Sequence, residues 1–192
     1  MDKKEVLSIV DHTLLGQTAT WAEIKEILDD GIKYGCASAC IPAAYVKQAA
    51  EYVEGKLPIC TVIGFPNGYH TTAVKVFETK DAIANGAAEI DMVINIGALK
   101  DRDLDYVREE IQAVVDVCHP HISVKVILEI SALTDEEIVI ASKLAAEAGA
   151  DWVKTSTGFG AGGATIEGVR LMREAVDGRC QIKAATGINN RQ

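Results

Sequence analysis

The feature that most constrains this chain is an alternation. Seven short runs rich in apolar and β-branched residues recur along it: IVDHTLL (9–15), CASACI (36–41), ICTVIGF (59–65), EIDMVIN (89–95), SVKVILE (123–129), DWVKT (151–155) and CQIKAA (180–185). Between them lie stretches with helical periodicity: WAEIKEILDDGIKYG, AAYVKQAAEYVEG, TAVKVFETKDAIANG, DLDYVREEIQAVVDVC, DEEIVIASKLAAEAG and TIEGVRLMREAVDG. Several of these end in glycine, as expected where a helix stops in a left-handed residue before the next strand. Three junctions, YGCASACI, NGAAEIDMVI and AGADWVKT, repeat one pattern of helix end, small residue and strand. A repeated βα unit predicts a parallel α/β fold. No Pro-, Ser- or Gly-rich linker breaks the rhythm, so residues 1–192 read as a single domain.

Parallel strands with alternating helices either close into a barrel or open into a doubly wound sheet. Charged residues inside otherwise apolar strands decide between them. Asp91, Lys125, Lys154 and Lys183 fall in the fourth to seventh runs, and such positions are costly unless they line one polar cavity. Strand ends converge on a single mouth in a barrel, whereas an open sheet allows this only at its switch point. The expected fold is therefore an α/β TIM (β/α)8 barrel.

Composition narrows the function. With 192 residues, 48% of them hydrophobic, the chain can bury one core. Its 28 acidic against 19 basic residues give a net charge of −9, so no global basic field exists to hold a nucleic-acid backbone or an anionic membrane. An anionic ligand must be held by a local positive site. There is no run of about 18 apolar residues, and MDKKEVLSIVDHT lacks the features of a signal peptide, which leads us to expect a cytoplasmic protein. Cys36, Cys40, Cys60, Cys118 and Cys180 contain no C-x-x-C pair, so reduced and mostly buried thiols are expected rather than disulfides or zinc.

Lys154 sits in DWVKTSTGF, on a short apolar strand followed by hydroxyl residues and Gly158. A lysine attacks a carbonyl only as the neutral amine, and its ordinary pKa is about 10.4. Lowering that to about 7 takes roughly 4 to 5 kcal/mol, which burial and a neighbouring cation can supply together. Lys183, on the next strand, is the obvious cation. The plainer reading of either lysine is a strand end reaching into water or pairing with a carboxylate. Asp91 on a third strand suits proton shuttling beside them, with a buried structural ion pair as the plainer alternative.

The segments IVDHTLL, SACIP, EIDMVINIGAL, KVILEISALTDEE, DWVKTSTGFGAGGAT and IKAATGI together resemble the motifs of the deoxyribose-phosphate aldolase family, in the family's order and across essentially the whole chain. The resemblance implies a TIM barrel and a class I aldolase, which works through a lysine imine with no metal and no cofactor. It implies reversible cleavage of 2-deoxy-D-ribose 5-phosphate, a phosphorylated sugar, into acetaldehyde and D-glyceraldehyde 3-phosphate during deoxyribonucleotide breakdown. By motif, Lys154 would form the Schiff base, Lys183 would lower its pKa and join proton transfer, and Asp91 would work with Lys183 through an ordered water.

The same resemblance places Asp11, Thr13, Cys40, Lys125, Thr155, Gly158, Thr186 and Gly187 at the substrate. The alternative readings are Asp11 as a cap, Lys125 as a structural partner of Asp91 and, more simply than a pocket role, Cys40 as an inert buried thiol. His119 and His121 of HPH belong on the face opposite the mouth, whereas His70 follows the FPNG turn at the mouth's end. Thr186 stands where the family usually has the first glycine of a Gly-Gly pair. The chain ends at NNRQ after the seventh run, so a barrel lacking the eighth strand and final helix is expected. Exposed sheet edges in such a barrel favour a homo-oligomer, most simply a dimer. The competing expectation is a catalytically impaired aldolase-like remnant that acts, if at all, through subunit association.

Overall fold

A computed structural model describes residues 2–188; the NNRQ end of the sequence, 189–192, lies outside the described residues. The elements run α1 (Lys3–Leu7), β1 (Asp11–Thr13), α2 (Trp21–Tyr34), β2 (Ser38–Cys40), a 3-10 turn (Ala43–Tyr45), α3 (Val46–Val53), β3 (Ile59–Ile63), α4 (Thr72–Ala84), β4 (Glu89–Val93), α5 (Ile96–Lys100), α6 (Leu104–Cys118), β5 (Ser123–Ile127), a 3-10 turn (Ile130–Ala132), α7 (Asp135–Glu147), β6 (Trp152–Lys154), α8 (Ile166–Val176) and β7 (Gln181–Lys183). The strand order of the sheet is β1-β2-β3-β4-β5-β6-β7, with no eighth strand among the described residues. This is the chain-ordered βα repeat of a TIM-type barrel.

The contacts group into two compact units, residues 1–62 with 80–90 and residues 63–79 with 91–192. In the first, β1 pairs in parallel with β2 (Asp11 opposite Ser38, Thr13 opposite Cys40), and β2 pairs with β3 (Cys40 opposite Cys60). Ile24 and Leu28 of α2 and Val46, Ala49 and Val53 of α3 are buried, each set at helical spacing. A capping box between Thr20 and Glu23 starts α2. In the second unit β5, β6 and β7 are parallel, with Ile127 opposite Lys154 and Lys154 opposite Lys183. Val107, Ile111 and Val114 of α6 and Ile138, Ala141 and Ala145 of α7 supply its apolar stripes.

Six of the helical stretches and all seven strands fall where the periodicity predicts them, but the strands are shorter than the apolar runs. Left-handed residues after two ladders show why. The chain continues to hydrogen-bond past β5 through Leu128 N to Lys154 O (2.9 Å), and then Glu129 takes φ 56° and turns it. Past β7, Thr186 does the same at φ 69°. Apolar residues beyond the ladder still pack, so hydropathy alone overestimates strand length. Three elements were not anticipated: α1, α5 and the 130–132 turn. The first two carry polar caps, a capping box from Asp2 to Glu5 and an Asn95 side chain accepting from Ala98 N. The helix expected from residue 43 begins as a 3-10 turn after Pro42. No helix among the described residues is long and apolar enough to cross a membrane.

Candidate active site

The second unit places three charged strand residues in direct contact. Asp91 lies in the middle of β4, a strand buried from Ile90 onward, and its carboxylate is fully inaccessible. Lys125, at the middle of β5, reaches one of its oxygens at 2.9 Å; Lys154, the last residue of β6, reaches the other at 2.5 Å. Both lysines are buried as well, with the Lys154 side chain retaining 9% exposure. Burial pushes the Asp91 carboxyl up, but the Lys154 and Lys125 ammonium groups outweigh it and hold the carboxyl below its ordinary range. Lys183 ends β7 in register with Lys154, so the two side chains leave the sheet on the same face.

One carboxylate serves two lysines, and a third lysine stands on the neighbouring strand. Asp91 favours the ammonium form of Lys154, and the Lys125 ammonium on the same carboxylate opposes it. A primary amine with a carboxylate at proton-transfer distance can add to a carbonyl and exchange protons with the adduct.

The loops beyond the strands supply the polar rim. Thr155 is fully buried; its hydroxyl donates to Ala185 O (3.1 Å) and accepts from Ala185 N (3.0 Å) and from Ser156 Oγ (3.1 Å). It therefore ties the exit of β6 to that of β7. Gly158 has φ 87°, and a methyl group there would lie 3.1 Å from Thr186 Oγ1. The amide of Ala164 donates to the carbonyls of Ala185 (3.2 Å) and Thr186 (3.0 Å), and a Cβ on Gly163 would fall 2.5 Å from Thr186 O. The two loops are thus zipped together, with Thr186 and Gly187 both left-handed. A β-branched residue at φ 69° is strained, whereas glycine would not be.

The remaining predicted positions lie in the first unit. Asp11 accepts from Ser38 Oγ (3.0 Å), Thr13 donates its hydroxyl to the Asp11 carbonyl (2.8 Å), and Cys40 is fully buried. Of the histidines, His119 Nε2 lies 3.1 Å from Asp151 Oδ2, and the same carboxylate oxygen accepts from Val124 N (2.8 Å). That links the entries of β5 and β6, the ends opposite Lys154. His70 is half-buried beside Tyr69. Cys118 is a buried thiol, pushed up to about 12 chiefly by burial and therefore inert.

Sequence reasoning missed three groups. Lys75 and Glu110 form a 2.8 Å ion pair with neither side chain exposed. Its signal was present, because Lys75 shares a helical face with buried Thr79 and Ala82, and Glu110 lies on the stripe of Val107 and Val114. Glu129, buried at the end of β5, accepts from Thr157 N (3.3 Å), from the Thr157 hydroxyl and from Ser131 Oγ (3.3 Å), and so orders the loop after β6.

The model of the DeoC/LacD family of aldolases matches residues 5–192. The chain belongs to this family. As an aldolase it is a carbon–carbon lyase. A deoxyribose-phosphate aldolase of Streptococcus pyogenes serotype M4 is 57% identical over 190 residues, 99% of this aldolase and 85% of the relative. A Coccidioides immitis protein assigned as a deoxyribose-phosphate aldolase superposes with a TM-score of 0.95 at 39% identity, covering 98% of this chain and 76% of its own. The Aeropyrum pernix deoxyribose phosphate aldolase, described as tetrameric, superposes with a TM-score of 0.88 at 28% identity, over 96% and 79% of the two chains.

Proposed function

We propose that this aldolase cleaves 2-deoxy-D-ribose 5-phosphate reversibly to acetaldehyde and D-glyceraldehyde 3-phosphate through a Schiff base on Lys154. The observation that carries this reading is the buried contact of Lys154 Nζ with Asp91, in a chain 57% identical to a deoxyribose-phosphate aldolase. The neutral amine of Lys154 adds to C1 of the open-chain aldehyde, and loss of water gives an iminium. Removal of the C3 hydroxyl proton forms the C3 carbonyl as the C2–C3 bond breaks, and its electron pair enters the iminium as an enamine. Glyceraldehyde 3-phosphate departs. Protonation of the enamine carbon and hydrolysis release acetaldehyde and the free amine. Asp91 and Lys183 carry the proton transfers, and Lys125 holds the Asp91 carboxylate ionised and in place.

Gly158, Thr186 and Gly187 would present backbone amides to the phosphate, a role consistent with the zipped loops on which they lie. Thr155 would act by holding those loops together, and Asp11, Thr13 and Cys40 would shape the substrate side of β1 and β2. Residues 1–192 would work as one aldolase domain, in a homo-oligomer with a dimer as its smallest unit, and in the cytoplasm. The test is acetaldehyde release from 2-deoxy-D-ribose 5-phosphate. Release is expected from the wild type, and a folded protein that releases none would overturn the reading.

A further inference from the structure

A second buried ionic group stands beside the strand that carries Asp91. Lys75 of α4 and Glu110 of α6 are each completely inaccessible and lie 2.8 Å apart. Taking two charges out of water costs several kcal/mol for each ion, and an apolar pair of similar size avoids that cost. A fold that needed only filling would be served by methionine and leucine. Hydrogen bonds to the main chain are what the charged pair adds. Lys75 Nζ donates to the carbonyl of Val93 (2.7 Å), and Glu110 Oε2 accepts from the amide of Asn95 (3.0 Å).

Those backbone groups lie two and four residues beyond Asp91. Between them, the amide of Ile94 donates to Ile127 O on β5 (3.2 Å). The Cα of Gly68 presses on the carbonyl of Ile94 so closely that a Cβ would sit 1.9 Å from it. Three consecutive residues at the exit of β4 are therefore gripped, and the outer two are gripped by the ion pair. Asp91 rides on the same strand and is held 2.5 Å from Lys154 Nζ. A shift of β4 along its axis would change that contact directly.

We propose that Lys75 and Glu110 are positioning residues: by fixing the height of β4 they hold the Asp91 carboxylate against Lys154, and so set both the rate of proton transfer and the pH at which the Lys154 amine reacts. The inference rests on the reading of Lys154 as the imine-forming residue. The charged groups facing that amine include Asp91 on β4 and, through the shared carboxylate, Lys125 on β5, with Lys183 in register on β7. Loosening Asp91 removes negative charge from the amine, which then loses its proton more readily and reacts at lower pH.

The test is the pH dependence of Lys154 acetylation by acetic anhydride, read by peptide mass with exposed Lys56 as internal standard, alongside kcat and KM for cleavage. In the Lys75→Met/Glu110→Leu double variant, the pH of half-labelling should fall by about one unit. The kcat should fall about tenfold while KM stays within about twofold. A filling role, which methionine and leucine would also serve, would leave both readouts unchanged, so a folded double variant whose Lys154 profile superposes on the wild type overturns the proposal. If that variant does not fold, Lys75→Met/Glu110→Gln keeps an acceptor for Asn95 and leaves no buried charge. It should shift the profile in the same direction by less, and superposition again overturns the proposal. Should the wild type not cleave the sugar phosphate, the proposed function fails, and the labelling comparison still decides this inference.

Discussion

The two buried ionic groups of the second unit make opposite use of charge. At Lys75 and Glu110 one ammonium meets one carboxylate, neither is exposed, and each makes a bond to the main chain. At Asp91 one carboxylate is divided between Lys125 and Lys154, Lys183 adds a third lysine on the next strand, and the Lys154 side chain keeps a 9% opening. A matched and sealed pair can only hold backbone in place. A carboxylate shared by two ammonium groups beside a small opening can exchange a proton and admit a carbonyl, so sharing and access, more than burial, separate chemistry from architecture here.

The comparison breaks if the two groups respond alike to substitution. Lys154→Leu should reduce cleavage by about four orders of magnitude or more with the fold intact, measured as acetaldehyde release. Asp91→Asn should lower kcat by about 10² to 10⁴. It should also destabilise the protein, because two buried ammonium groups lose their counter-charge, so the rate is read on the folded fraction. Lys75→Met alone should cost about 3 to 5 kcal/mol in urea unfolding, since it strands Glu110 in the core, whereas the Lys75→Met/Glu110→Leu pair should lie within about 2 kcal/mol of wild type. A single substitution no worse than the double would show that the pair is not sealed.

Acid titration separates the groups by sign. The folded value of Asp91 is depressed, so its contribution to stability is complete above its unfolded value of about 3.9 and is lost as pH falls through the folded value. Burial raises Glu110 despite Lys75, so its contribution is complete below an unfolded value of about 4.3 and is lost as pH rises through the folded value. The stability gap between wild type and Glu110→Gln should therefore move in favour of the variant as pH rises above about 4.3, followed by urea midpoints. The smallest effect expected is at Thr186. Replacing it by glycine relieves the strain at φ 69° and should stabilise by about 0.5 to 1 kcal/mol, with a stronger preference for phosphorylated over unphosphorylated sugar.

Much of this was legible in the sequence because it depends on period and on polar residues in apolar runs. The alternation of strand and helix places every strand in order, and Asp91, Lys125, Lys154 and Lys183 announce themselves as charges where hydrophobic residues belong. What was not legible depends on partners distant in sequence. The helical faces of Lys75 and Glu110 show that each points inward, but only the approach of α6 to α4 shows that they meet. The direct link of Asp91 to Lys154 was likewise hidden, because spacing cannot tell a carboxylate that works through Lys183 from one that touches Lys154 itself. The resemblance places Thr155 at the substrate, yet its bonds to Ala185 are set by strand register. The turn at Glu129 gives no residue-type signal, since left-handed backbone there is imposed by the loop it anchors.

The central claim is that Lys154, and not Lys125 or Lys183, carries the reactive amine. Incubation with acetaldehyde, reduction by borohydride and peptide mass analysis test it directly. The adduct should lie on Lys154 alone, be absent in Lys154→Leu and be much reduced in Lys183→Leu. An adduct on Lys125 or Lys183, or none on the folded wild-type protein, would contradict the account.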